Sequence, residues 1–224
     1  MSQPTGVIWD VDGTLVDTAA LHLDAWVRTS REMGREFSQA DFVATFGRRN
    51  PEIIEYLFQR SFSLIEIQEI GERKEGYYRA EAIQKGIDLL PGVRKMLEDL
   101  HARNVPQAIG SSAPRENLEM ILRVTQSGMF FRGVVGMEDT QRGKPDPEVF
   151  LTAAKTLGLP SERCVVFEDA VAGVQAAKAG GMKCVGVTFV GHHPAERLLA
   201  AGADRVIRSF DEITVDEVLR LIDG

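Results

Sequence analysis

The stretch Ile8-Trp9-Asp10-Val11-Asp12-Gly13-Thr14-Leu15-Val16-Asp17-Thr18 runs an apolar segment straight into two carboxylates. Val7, Ile8 and Trp9 read as a short buried strand. If strand geometry persists beyond them, Asp10 and Asp12 face one way and Val11 the other. Two like charges this close at a strand end repel and call for a cation or a shared proton. Gly13 lets the chain turn sharply, and Thr14 brings a hydroxyl and an N–H into the same turn. An isolated Asp-x-Asp-Gly is also what an acidic loop after an edge strand looks like. The weight therefore falls on what the rest of the chain brings to these carboxylates.

Outward from this stretch, nothing between Thr18 and Gly86 alternates at period two. Thr18 is placed to cap a helix carrying Leu21, Ala25, Trp26 and Met33 that ends near Gly34. Ser38 caps a second helix, which Phe46-Gly47-Arg48-Arg49-Asn50-Pro51 interrupts. Pro51 suits a helix's first turn, with Ile53, Ile54, Leu57 and Phe58 as its apolar face. A long helix from about Ser63 to Lys85 closes at Gly86. Beyond it, short apolar runs alternate with helices. The strands expected are Val105 to Ile109, Val134-Val135, Cys164 to Phe167, Lys183 to Val187 and Arg205 to Ile207. That alternation predicts an α/β fold, a Rossmann-like parallel sheet with helices on both faces. The helical block interrupts it directly after the first strand. Residues 1–16 and 89–224 are thus expected to form a catalytic α/β core, and 17–88 an inserted all-helical cap.

Composition bounds the partners. A chain of 224 residues holds one medium domain, or a domain with a smaller one inserted. The formal net charge of −7 lends no electrostatic support to a nucleic-acid partner. Cys164 and Cys184 each lie in a strand-like apolar run and read as small buried hydrophobes. No basic segment leads into an apolar one at the N-terminus, and no run approaches ~18 apolar residues. The expectation is a cytoplasmic protein with neither membrane nor nucleic-acid partner, a monomer or weak homodimer.

In a doubly wound sheet, ligands gather beyond the carboxyl ends of the strands. Four strands carry polar groups there: Asp10 and Asp12, Ser111 and Ser112, Lys144, and Glu168 with Asp169. Asp10, Glu168 and Asp169 are hard oxygen donors suited to Mg²⁺. A cation would keep Asp10 ionised, as a carboxylate nucleophile requires. Lys144 can neutralise charge on phosphoryl oxygens, while Ser111 and nearby N–H groups hold one of them. Asp12 is the candidate proton shuttle.

The set Asp10-Val11-Asp12-Gly13-Thr14-Leu15, Ser111, Lys144-Pro145 and Glu168-Asp169, followed by Ala172-Gly173-Val174-Gln175-Ala176-Ala177, resembles the haloacid dehalogenase-like superfamily of phosphotransferases. Within it, the chain is similar to the group of β-phosphoglucomutase and small sugar-phosphate phosphatases. The resemblance implies that Asp10 forms an aspartyl-phosphate and Asp12 acts as general acid and base. It also implies that Ser111 and Lys144 hold the phosphoryl group, and that Glu168, Asp169 and the Asp12 main-chain carbonyl complete a magnesium site. Dehalogenases of the superfamily lack the second aspartate, so Asp12 argues against carbon–halogen cleavage.

The cap is expected to choose the substrate. Asp17 to Trp26 looks like the opening of the β-phosphoglucomutase cap, in which a histidine at the place of His22 contacts the acid/base aspartate. Two departures weigh against the mutase: Phe46 precedes Gly47 where the mutase has a lysine, and Ala113, Pro114 and Arg115 replace its Ser-Lys-Asn segment. Arg48, Arg49, Arg115 or Lys74 are left as sources of the missing positive charge, and Asn50 as a sugar-hydroxyl contact. A Mg²⁺-dependent hydrolase of small phosphorylated metabolites, sugar phosphates by resemblance, is favoured over β-phosphoglucomutase. A scaffold that merely retains the fold is disfavoured by the intact set of acidic residues and Lys144.

Overall fold

In a computed structural model that describes residues 4–223, six strands form one parallel sheet. They are β1 (Gly6–Trp9), β2 (Gln107–Gly110), β3 (Gly133–Val135), β4 (Cys164–Glu168), β5 (Lys183–Val187) and β6 (Arg205–Ile207), in the order β3-β2-β1-β4-β5-β6. The strand leading into Asp10 is therefore central, with Trp9 beside Ile109 on one side and Phe167 on the other. The order reverses around β1, which places the open crevice of the sheet at its carboxyl end.

Strand alternation sorts the core into two layers. Val7 and Trp9 point to one face, packed with Phe167 and Val185 against α5 (Val93–Ala102), α6 (Arg115–Val124) and α10 (Val215–Asp223). Ile8 points to the other, with Val166 and Cys184, against α7 (Glu148–Leu157) and α8 (Val171–Ala179). Both cysteines are buried and unbridged. The sheet thus has helices on both faces, as expected.

Between β1 and β2 lie α1 (Ala19–Glu32), α2 (Gln39–Thr45), α3 (Asn50–Phe58) and α4 (Leu64–Lys85), which form the helical insertion. These helices have a core of their own, built on Trp26, Phe42, Ile54 and Leu57. Ser38 and Ser63 each complete a capping box, with Asp41 and Glu66. The two strands of chain joining this block to the sheet run side by side: Val16 bridges Leu89, and the Leu90 N–H donates to the Leu15 carbonyl at 2.8 Å.

Three details differ from expectation. Thr18 occupies the N-cap position of α1 but makes no capping bond, because its hydroxyl is used elsewhere. The second strand starts at Gln107 rather than Val105. Pro106 has no N–H for a ladder and contributes only its carbonyl, to Val7, while the Val105 N–H turns back to Leu100. A short helix, α9 (Ala195–Ala200), follows Pro194 where no element was read.

Gln107 is a buried polar residue with a clear function in the sheet: its Oε1 accepts from the Trp9 indole at 3.1 Å and its Nε2 donates to the Leu97 carbonyl at 3.1 Å. Gln107→Leu leaves both partners buried without a bond, a loss expected to cost roughly 1–3 kcal/mol. Urea unfolding of the two proteins measures it; equal midpoints would show that the pair contributes nothing.

Candidate active site

At the carboxyl end of β1 the chain is pinned by the Asp10 N–H, which donates to the Phe167 carbonyl at 3.0 Å. Lys144, arriving from the loop after β3, places its ammonium between two carboxylates. It donates to Asp10 Oδ1 at 2.7 Å and to Glu168 Oε1 at 2.6 Å. Glu168 uses its other oxygen to accept the Ala170 N–H at 2.5 Å. Asp169 is buried as well, and its Oδ1 has no hydrogen-bond partner among the described residues. Asp10, Glu168 and Asp169 each bring an oxygen within 4.8 Å of the others.

This cluster is short of positive charge. One ammonium faces three carboxylates, so two negative charges remain uncompensated in a buried site. Burial, against the pull of Lys144, drives the Asp10 carboxyl up, and the Glu168 charge adds to the rise. Burial also raises Asp169 far above the usual carboxylate range, with Glu168 and Asp10 contributing. Lys144 is held in its charged form, since Asp10 and Glu168 outweigh its burial. A hard divalent cation supplies the missing charge and gives Asp169 Oδ1 a partner, so the donor set fits one. Two glycines make room for the carboxylates themselves: a Cβ on Gly13, whose φ is +85°, would lie 2.1 Å from Asp169 Oδ2, and one on Gly173 would lie 1.6 Å from Glu168 Oε1.

Asp12 stands apart from that trio, turned towards the helical block. The Thr18 hydroxyl donates to its Oδ1, and His22 Nε2 reaches the same atom at 3.2 Å. His22 Nδ1 lies 2.7 Å from Lys74 Nζ, and an ammonium can only donate, so Nδ1 is the acceptor and Nε2 carries the proton given to Asp12. The imidazole is clamped by stacking on Tyr78, with ring centroids 4.2 Å apart. Lys74 also donates to Glu75 Oε1 at 2.9 Å. Burial works to raise Asp12, but His22, Thr18 and Lys74 outweigh it and hold the carboxyl below its usual range. The free site therefore keeps Asp12 ionised.

A cavity of about 60 Å³ lies between this edge and the helical block. Of the residues singled out in the sequence, Asp10, Asp12, Ser111 and Ser112 line it from the sheet side. His22, Gly47, Arg48, Asn50 and Lys74 line it from the helices. Lys144, Glu168, Asp169, Gly13 and Thr14 lie outside its lining. Ser111 Oγ accepts the Ala113 N–H at 3.1 Å, and the buried Thr14 hydroxyl has no partner among the described residues.

Two of the arginines are not brought to the cavity. Arg49 reaches across to the sheet domain, where its guanidinium donates to the carbonyls of Gln141, Met137 and Thr140 at 3.0, 2.5 and 2.9 Å. Arg115 pairs with Asp139 at 2.5 Å. Phe46 does line the cavity, and its ring also packs into the helical core, 5.2 Å from that of Phe42 and 4.7 Å from that of His192.

The sequence reading overlooked Glu75, Asn117 and the true use of Thr18. Glu75 Oε1 accepts from Asn50 at 2.8 Å and its Oε2 from Asn117 of α6 at 2.6 Å. A signal for Glu75 exists. The buried stripe of α4 runs Ile70, Gly71, Tyr78, Ala82, and positions 74 and 75 fall inside it at helical spacing. Two adjacent charges in such a stripe are buried and need partners. Asn117 carries no comparable signal, because its partner lies 42 positions away.

Residues 7–187 match the family model described as haloacid dehalogenase-like hydrolase. The chain belongs to the haloacid dehalogenase-like hydrolases. It is an enzyme of that family. Among curated relatives, it is 32% identical over 97% of its length to "5-amino-6-(5-phospho-D-ribitylamino)uracil phosphatase, chloroplastic" of Arabidopsis thaliana, of which it spans only 58%. It is 32% identical to beta-phosphoglucomutase of Bacillus subtilis, covering 94% of this chain and 92% of that one. It is 30% identical to "Phosphorylated carbohydrates phosphatase" of Thermotoga maritima, covering 93% and 96%. The same fold is seen in the beta-phosphoglucomutase of Clostridium difficile, with TM-score 0.88 at 24% identity over 99% of this chain and 98% of that one. Among the described residues, no helix is long and apolar enough to cross a membrane.

Glu75 links this site to acid stability. Burial opposes its charge, but Lys74, His22 and Asn117 prevail and bring its carboxyl down from 4.5 to about 2. A depressed carboxyl contributes stability that is present above pH 4.5 and is lost as pH falls towards about 2. Glu75→Gln removes that titration. The difference in melting temperature between wild type and variant is expected to shrink steadily from pH 5 to pH 3; a difference independent of pH would show that the Glu75 charge is not stabilised by folding.

Proposed function

We propose that the chain is a Mg²⁺-dependent phosphomonoester hydrolase of small phosphorylated metabolites, sugar phosphates among them, with residues 17–88 acting as its cap. The observation that carries this reading over the mutase is the state of the cations around the cavity. A mutase needs a second phosphate grip remote from Asp10. Arg49 is spent on carbonyls, Arg115 on Asp139 and Lys74 on His22 and Glu75. Phe46 is apolar and buried in the helical core. The relatives named as phosphatases of phosphorylated carbohydrates and of a phosphoribitylamino compound support the substrate class.

In this reading Asp10 attacks phosphorus, its oxygen–phosphorus bond forming as the ester bond breaks. Lys144 has two N–H groups committed to Asp10 and Glu168, and turns the third to the phosphoryl oxygens with Ser111. Asp12 takes up a proton from solvent when the phosphate dianion arrives beside it and makes its charge costly, and passes that proton to the departing alkoxide. In the second half Asp12 removes a proton from water, which attacks the aspartyl-phosphate, frees inorganic phosphate and restores the Asp10 carboxylate. Asp10, Asp169, Glu168 and the Asp12 main-chain carbonyl would hold a Mg²⁺, which would supply charge neutralisation on the phosphoryl group. The 60 Å³ cavity is far below the ~300–1,000 Å³ of ligand pockets, so substrate entry requires the cap to swing away from the sheet.

The mutase remains the second reading because Arg48 lines the cavity and has no side-chain partner among the described residues. A phosphorus NMR time course separates the two. Given β-glucose 1-phosphate, a trace of β-glucose 1,6-bisphosphate and Mg²⁺, the protein is expected to release phosphate faster than it forms glucose 6-phosphate. Accumulation of glucose 6-phosphate with little free phosphate would favour the mutase.

The metal assignment has its own test. Asp169→Asn is expected to weaken Mg²⁺ binding at least ~10-fold in titration calorimetry while the fold is retained. Unchanged affinity would put the ion elsewhere.

A further inference from the structure

The cavity wall on the helical side contains a carboxylate that the reaction does not use. Glu75 is only 4% exposed, yet it lines the cavity beside Asn50. Its charge has two consequences. It neutralises Lys74, whose ammonium is otherwise surrounded by His22 and the ring faces of Trp26 and Tyr78, so that lysine offers a second anion no net attraction. It also fixes the orientation of two amides. A carboxylate only accepts, so Asn50 and Asn117 must turn their NH₂ groups towards it. The Asn117 oxygen then accepts from Arg79 at 3.1 Å. For Asn50, which also lines the cavity, the bond to Glu75 is the one side-chain hydrogen bond it makes among the described residues, so its Oδ1 has no protein partner among them. Trp26, Phe42, Phe46 and Ile53 give this wall its apolar part, and the hydroxyl of Thr45, also in the lining, is turned back to the Asp41 carbonyl at 2.8 Å. Arg48 also lines the cavity, but it is exposed, where water and salt screen its charge.

We propose that Glu75, as a positioning residue acting through Asn50, selects the non-transferred end of the substrate: an uncharged end rich in hydroxyl or N–H donors, with a second phosphate rejected. This rests on the phosphomonoesterase reading above. An acceptor held by a buried carboxylate rewards a donor and leaves an alkyl chain with an unpaired oxygen opposite it. With Lys74 matched by this carboxylate, an anion placed at the far end of the cavity loses its hydration and gains no cation in return.

Three esters test this with wild-type protein and Mg²⁺: sorbitol 6-phosphate, hexyl phosphate, which lacks the hydroxyls, and fructose 1,6-bisphosphate. Sorbitol 6-phosphate is expected to exceed each of the others in kcat/KM by about tenfold or more, chiefly through KM, the size of one well-made hydrogen bond. Glu75→Gln is expected to narrow the gap to the bisphosphate about tenfold. Asn50→Leu is expected to narrow the gap to hexyl phosphate and leave the bisphosphate gap standing. Near-equal wild-type values, or a Glu75→Gln protein that loses activity equally on all three esters, would overturn the proposal. If Glu75→Gln does not fold, Asn50→Leu decides: an unchanged sorbitol-to-hexyl ratio overturns it. Binding of the three esters to Asp10→Asn protein with Mg²⁺, by calorimetry, keeps the two readings apart. Should wild type release phosphate from none of them, hydrolysis fails, and the same ranking of dissociation constants still supports selection by Glu75. Absence of any ranking there overturns it.

Discussion

The ammonium of Lys144, held between Asp10 and Glu168, is the interaction on which the site depends. Three buried carboxylates at the end of a parallel sheet repel one another strongly, because little water is present to screen them. Lys144 offsets one charge and, by bonding to carboxylates on two neighbouring strands, fixes the spacing of β1 and β4 at their ends. Removing it would leave three carboxylates facing one another, and they would protonate or move apart. Glu168, with both oxygens bonded, orients the lysine. Asp10 and Asp169 keep free lone pairs for a cation. The division of labour within the trio thus follows from which oxygens are already occupied.

A second chain of charge runs the other way, from Asp12 through His22 and Lys74 to Glu75. Its far members belong to the helical block, while Asp12 and Asn117 belong to the sheet domain. Separating the block from the sheet breaks the contacts of Asp12 with His22 and of Glu75 with Asn117 together. Of the influences that hold the Asp12 carboxyl down, those of His22 and Lys74 thus depend on this contact, while the Thr18 hydroxyl is a near neighbour in the chain. Arg49 adds a third tie across the same boundary, and Gly143 lets it pass: a Cβ there would meet Glu52 Oε1 at 2.2 Å and Arg49 Cδ at 2.7 Å.

Much of the fold was legible because it rests on local rules. The short buried strand Val7 to Trp9, the cap at Ser38, the start of a helix near Ser63 and the glycines at the helix ends all follow from a few neighbouring residues. What escaped depends on contacts distant in sequence. Thr18 looks like a helix cap because the position is one, yet a nearby carboxylate competes for its hydroxyl and wins. Pro106 trims a strand that hydrophobicity alone extends to Val105. Asp10, Asp12, Lys144, Glu168 and Asp169 could be gathered from the sequence because each follows a strand, and parallel strands share one edge. The cap residues sit on helices whose relative packing no spacing rule specifies, so their side chains had to be seen.

The arginines illustrate the same limit with electrostatic consequences. Counted in sequence, Arg48, Arg49, Arg115 and Lys74 make a basic surround for a second phosphate. Counted in space, three of the four are committed, and to different kinds of partner. Arg115 is matched by a carboxylate and Lys74 by another, so neither contributes net field at the cavity. Arg49 is matched by carbonyl dipoles, which satisfy its N–H groups without cancelling its charge, but they direct the guanidinium away from the lining. A cation attracts a phosphate only to the extent that its own neighbours leave charge and donors unused. By that measure the helical side of the cavity, with Glu75 buried in its wall, is built for hydroxyl and N–H groups rather than for a second anion.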